Sequence, residues 1–461
     1  MAYGSRVVMM ALLVVLSSSH QAMAQWLAWA KTIDSSYGDS TNSIAIDPSG
    51  NLVIGGAVGG RADFGGGLGT AIDGAGGYIA KYDQFRNALW LVRHRGLQGG
   101  SSVVNAVATD GNSVFATGSF LGTVDFGGGT LTSNGYPTVI AQNAFVAAYS
   151  ASTGDFRWVK VWGSGRDSIG YGAGVLANGD LVAAGTAAGR FSMGDACGIP
   201  QTNSSSNDIF LARFDSLSGY CKWMRIFGGF GDDAATALAV GPLGDIAIAG
   251  RFQGTVDFGG AVATSSGLAD LFVARYRPGG VLRWVRTYGG SGDDVARSVA
   301  VNPAGEIAVG GHFSGTVDFG GAVLSSAGSW DGFVLKVRPN GSTRWAWALG
   351  GGGTDEVFGV DFDPDYRVIV TGGFQGGANL AAGFYNSAGS WDGFATAFGP
   401  DGDPNWTVTW GGLGTDLGQA VAVDGAGVAI VGGYYSEQAT FSGLGVLYNA
   451  GNADAFIIGI Q

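Results

Sequence analysis

Histidine is almost missing from this chain: three occur in 461 residues, and with His20 in an apolar leader only His94 and His312 remain, far apart in the chain. Neither belongs to a zinc-binding pattern, and no Gly-x-Ser-x-Gly nucleophile turn stands between a strand and a helix. Cysteine is as scarce, with Cys197 and Cys221 alone, so the chain has no disulfide-rich scaffold. Basic residues number 24 against 36 acidic ones. That balance disfavours nucleic acid and anionic membrane surfaces as partners. Long apolar runs are missing too. The run from Val7 to Leu16 is too short for a bilayer, which needs about 20 residues.

That run, with Arg6 before it and Ala22, Met23 and Ala24 after it, reads as a secretory signal over residues 1–24. No cysteine follows to take a lipid, so the expected mature chain is a protein without a membrane anchor, beginning near Gln25. Its net charge is 23 minus 36, or −13, because only Arg6 leaves with the signal. Secretion, the periplasm or the cell surface is the expected location. An oxidising compartment lets Cys197 and Cys221 pair. The bridge would tether a loop rich in Ser and Asn, and neither a His nor another Cys lies near enough in sequence to favour a metal site instead.

What the chain has is a period. Tryptophan recurs on short apolar strands at Trp29, Trp90, Trp158, Trp223, Trp284, Trp345 and Trp406, and the last three intervals are equal. Each is followed by a Gly-rich turn, two alternating apolar runs joined by a tight turn, a long Gly/Ser stretch and a strand opening on an acid and an aromatic. Four short strands in a self-similar unit make a propeller blade, repeated because one blade cannot bury both of its faces. The expected fold is an all-β, seven-bladed β-propeller with four antiparallel strands per blade, occupying residues 25–461 as a single domain and expected to be a monomer.

The two ends complete the count. The chain stops at DAFIIGIQ, a third strand without a fourth, and starts with WLAWAK, a fourth strand without a blade. Pairing residues 26–31 beside 454–461 closes the ring and covers both open edges. The seven tryptophans are expected to pack between blades.

The segments GGSGDDVARSVAVNPAGEIAVGG and DLFVARYRPGGVLRW, in blades four and five, resemble the bacterial β-propeller repeat called SBBP. Its units show a Gly-Gly-x-Gly-x-Asp turn, an alternating strand, a Pro-Gly or Asp-Gly turn and an Asp-x-Phe strand. The likeness extends over nearly all of the mature chain. It departs at Gly96 to Val104, which lacks the acid, and at Ala196 to Asn207, which differs in length. The resemblance implies an exported scaffold for interaction and supplies no catalytic motif.

Acids gather on the face that carries the inter-blade turns and the loops leaving second strands. Asp232, Asp233 and Asp355 are the metal candidates there. Carboxylates around a channel mouth suit Ca²⁺, whereas an acid recurring in most blades is better explained by locking the turns that every blade needs. No other cofactor is expected. Departures from the repeat are the better guide to a ligand. Arg251 and His312 occupy one position in adjacent blades where smaller residues such as Ser119 and Gly373 stand elsewhere. Trp330 and Trp391, in the repeated SAGSWDGF, precede third strands on the acid-bearing face, and Asp293 and Asp294 lie in the turn entering blade five. Exposed indoles beside carboxylates suit a sugar ring or a protein partner, or else they cover a blade edge. The main expectation is a non-enzymatic module binding a protein or glycan. A polysaccharide hydrolase or lyase using carboxylates on this face is the alternative, and a structural part of a surface assembly is a third.

Overall fold

The computed structural model describes residues 27–35, 37–68, 75–134, 140–163, 166–189, 197, 206–441, 445–449 and 452–461. The expected signal, 1–24, and most of the Ser/Asn-rich loop of blade three lie outside the described residues. Within them the protein is all-β, and no helix is long and apolar enough to cross a membrane. Seven antiparallel sheets of four meandering strands form a seven-bladed β-propeller. Blade four consists of Ala234–Val240, Ile246–Phe252, Asp270–Tyr276 and Leu282–Tyr288; blade five of Val295–Val301, Ile307–Phe313, Asp331–Val337 and Thr343–Gly351.

Blade seven is built from both ends of the chain. Leu27–Ile33 pairs antiparallel with Asp454–Ile460, which continues to Ala429–Tyr435 and Asp416–Val423. The register runs from Leu27 opposite Ile460 to Ile33 opposite Ala455, so the Trp29 strand is the fourth strand of the blade that the C-terminus leaves open.

Second and third strands are buried on both faces, as Ile307–Phe313 and Asp331–Val337 are throughout. The expected alternation therefore fails as a burial pattern on second strands: blades sandwich them, and small residues such as Ala308 and Gly310 occur where the neighbouring blade approaches. Gly310 has the next blade's Val357 and Val360 packed where a Cβ would stand. First strands line a central channel, and each has a bulge at the same place. The register shifts around Asn42, Asn105, Tyr171, Thr236, Arg297, Phe358 and Gln419. A bulge turns one extra side chain out of the ladder. All seven of these residues line the channel, a cavity of about 570 Å³.

The periodic tryptophans join one blade to the next. Indole Nε1 of Trp90, Trp158, Trp223, Trp284 and Trp345 donates to a carbonyl in the following blade's turn between third and fourth strands, at Ala151, Ser216, Pro278, Pro339 and Pro400, over 2.9–3.2 Å. A glycine with positive φ in that turn, Gly154, Gly219, Gly280, Gly341 or Gly402, lies against the ring, leaving no room for a Cβ. At Trp29 the corresponding turn carries Arg86, also with positive φ, and its guanidinium stands 4.8 Å from the ring centroid.

Cys197 and Cys221 form a disulfide across 24 residues. Cys221 is fully buried in the core that blade three shares with Trp158 and Phe214. By the chain-entropy account a loop of this length contributes about 3 kcal/mol. Reduction, or Cys197→Ser with Cys221→Ser, should lower the melting temperature by several degrees in calorimetry without altering the far-ultraviolet dichroism. An unchanged melting temperature would mean that the bridge constrains only its own loop.

A candidate ligand cleft at the channel mouth

The acid-bearing face is held together by a repeated carboxylate clasp. Asp233 accepts from Gly229 N at 2.9 Å with one oxygen and from Gln253 N at 2.9 Å with the other, tying the inter-blade turn to the loop leaving the second strand. Asp294 does the same with Gly290 and Ser314, Asp355 with Gly351 and Gln375, and Asp416 with Gly412 and Ser436. Burial outweighs these donors and lifts the carboxyls, Asp233 and Asp416 to about 7 and Asp355 to about 6, with Asp294 raised as well. Blades two and three carry Ser102 and Ser168 at this place, accepting from Gly77 N and Ala188 N. The loss of the acid noted at Gly96 to Val104 is therefore a substitution of acceptor.

A second set of acids clamps the preceding blade. Asp167, Asp232 and Asp293 accept from Gln142 N, Asn207 N and Ala269 N, at the starts of third strands. The metal candidates thus divide: Asp233 and Asp355 use both oxygens on backbone N–H groups, and Asp232 uses one. Among the described residues no three His, Cys, Asp or Glu side chains group closely enough to hold a metal ion.

The departures from the repeat come together. A cleft of about 400 Å³ opens beside the channel, with Arg251, Asp293, His312 and Trp330 in its wall. Asp167, Arg297, Tyr171 and Thr236 share the lining, and the last three also face the channel. Strand registry explains the meeting: Arg251 pairs with Ala234 and His312 with Val295, both at the channel end of second strands. The His312 ring stacks on Trp330, centroids 4.8 Å apart and planes 20° from parallel. Its Nδ1 lies 2.6 Å from Glu356 Oε1, the same oxygen that takes Arg297 Nε at 2.6 Å. Burial works against the Glu356 charge, yet the His312 hydrogen bond and the Arg297 cation hold its pKa below the ordinary value. Arg297, His312 and Trp330 are thus fixed by one carboxylate reaching in from blade six.

Trp391 does not join them. Its six-membered ring covers Gly373, the blade-six counterpart of His312, at 2.9 Å from where a Cβ would stand, and it is half-buried. Trp330 is 39% exposed because His312 occupies the space beneath it. Asp294 likewise lies outside the cleft lining, in its clasp. Arg297 is a cleft residue that the repeat comparison misses. Its signal is the adjacent polar pair Arg297 and Ser298 within an otherwise apolar strand, which marks a bulge.

No family model matches the chain. An uncharacterized WD repeat-containing protein of Acanthamoeba polyphaga mimivirus is 24% identical over 305 residues, 52% of this chain and 22% of that protein. The chain spans about a fifth of that relative's length. In fold the chain is similar to BamB from Moraxella catarrhalis, at 13% identity over 96% of this chain and 95% of that one, with a TM-score of 0.39. It is also similar to the quinohemoprotein alcohol dehydrogenase ADHIIG from Pseudomonas putida HK5, at 12% identity over 95% and 76%, TM-score 0.45. The WD40 propeller domain of Doa1 matches at 10% identity over 93% and 97%, TM-score 0.39.

Proposed function

We propose that this chain is an exported, non-enzymatic interaction module of the SBBP type that binds a glycan or protein ligand in the cleft between blades three, four and five. The observation that carries the reading is convergence: Arg251, Asp293, His312 and Trp330, which the sequence singles out as ligand candidates, line one cleft. Repetition keeps what every blade needs, so a cluster of exceptions marks what only one place needs. The volume lies within the roughly 300–1,000 Å³ range of small-ligand sites. The apolar leader at residues 7–16 and the Cys197–Cys221 bridge support export. Calcium enters this reading only at a cost, since an ion on Asp233 or Asp355 would have to displace backbone donors.

Replacing Trp330 with Ala should weaken binding on a glycan or protein array by at least tenfold, as stacked aromatic anchors do, while the melting temperature falls by less than that of Trp158→Ala. Retained binding in the variant would remove the cleft from the reading. A hydrolase or lyase is the second reading, favoured by Asp167 and Asp293 in one cleft; it requires release of reducing ends that Asp293→Asn abolishes. A structural role in an assembly has in its favour the exposed Val262, Val323 and Phe384 on successive outer hairpins, and self-association in sedimentation would be its sign.

A further inference from the structure

Two arginines of the cleft have donors that its acids do not bond. Among the described residues Arg251 makes no hydrogen bond and no ion pair, although it is half-buried on a second strand. Arg297 commits Nε to Glu356, which leaves both terminal amino groups of its guanidinium without a hydrogen bond to the protein among those residues. Arg251 is partly withdrawn from water without a partner, which is costly, whereas Arg297 keeps its free amino groups exposed to solvent, and a planar carboxylate is the group that a guanidinium fork fits in two-point fashion. Beside these donors stand acceptors. Asp167 and Asp293 each bond one backbone N–H through Oδ1, so Oδ2 of each is available to hydroxyl donors. The partly exposed Trp330 indole supplies an apolar face.

We propose that the cleft takes an acidic saccharide, a pyranose ring bearing one carboxylate, with the carboxylate at Arg251 and Arg297 and the ring near Trp330. The inference rests on the reading of the cleft as a ligand site and adds the ligand's charge and class. Phosphate-dense ligands fit poorly, since Asp167, Asp293 and a net charge of −12 repel a second and third negative charge nearby. Hydroxyls meet the two free carboxylate oxygens; an acidic peptide would offer them fewer donors.

The test is calorimetric titration of the full chain with trigalacturonate, trimannuronate and a hyaluronan tetrasaccharide, each beside its carboxyl-reduced, neutral counterpart. At least one acidic form should bind tenfold or more tightly than its reduced form, and Arg251→Gln should erase that difference at an unchanged melting temperature. Equal binding of acidic and reduced forms, unaffected by Arg251→Gln but lost in Trp330→Ala, would overturn the charge inference and leave the cleft reading intact. Binding of none of the saccharides would overturn this inference, and if Trp330→Ala is also without effect on every arrayed ligand the cleft reading falls with it. An Arg251-dependent response to a poly-glutamate peptide alone would overturn the saccharide class.

Discussion

Deleting residues 27–33 should make the ring aggregate, with loss of the cooperative melting transition. The strand supplies the whole outer edge of blade seven and pairs with Asp454–Ile460 along its length. Leu27 and Ile33 are buried, Leu27 in the core shared with Trp410 and Ile458 and Ile33 in the core shared with Leu52 and Tyr82. Two such side chains contribute about 3 to 6 kcal/mol together, before the ladder of hydrogen bonds is counted. Its removal also bares the ladder edge of Asp454–Ile460, a strand buried along its whole length. Size-exclusion chromatography and calorimetry of the truncated chain, with and without a synthetic peptide of residues 25–34, would measure both effects. A truncated protein that melts as the full chain does would show that blade seven stands without its fourth strand.

The carboxylate clasps should make the protein more stable near pH 5 than at pH 8. Asp39, Asp233, Asp355 and Asp416 have folded values of about 6 to 7, lifted chiefly by burial, and Asp294 is raised as well. The unfolded carboxyl titrates near 3.9, so the folded state binds protons more tightly. The stability from these groups is complete below about pH 4 and is lost as pH climbs through about 6 to 7. Asp47, Asp180 and Glu306 act oppositely. Burial raises them, but bonds from Lys81, Lys222 and Lys336 in turn bring them below the ordinary value, so their contribution fades at the acid end. A maximum near pH 5 results. Asp416→Asn should flatten the slope between pH 5 and 8. Asp416→Ala should cost about 2 to 4 kcal/mol near pH 5, because Gly412 N and Ser436 N both lose their acceptor, and less at pH 8, where the buried carboxyl is ionised. A melting temperature that rises from pH 5 to pH 8 would contradict the assignment.

The tryptophan period made the blade count and the closing strand legible, since packing between identical neighbours writes itself into sequence at a fixed spacing. The cleft was legible only in part. His312 and Arg251 stood out because they replace small residues. Trp330 and Trp391 sit in the same octapeptide, and what separates them stands one strand earlier, at His312 in one blade and Gly373 in the next. Glu356 reads as one more turn acid until strand pairing sets it opposite Gly373 and brings its oxygen to His312 and Arg297. Arg297 depends on a bulge, and which of two neighbouring polar residues a bulge turns into the channel is decided by the partner strand.

The tryptophan joints all point the same way round. Each blade grips the turn that follows its successor's third strand, from Trp29 on the Arg86 turn to Trp345 on the Gly402 turn. In blade seven no turn joins third strand to fourth, because the fourth strand is Leu27–Ile33, so Trp406 has no such loop to hold. Seven blades thus have six tryptophan clasps, and blade six meets blade seven instead through backbone pairing of Trp410–Gly412 with Ala439–Phe441 and through the core against which Trp406 packs. Where the indole clasp is missing the boundary is therefore stitched by backbone, and native-state amide exchange should find the Ala439–Phe441 pairing protected for as long as the ring stays closed.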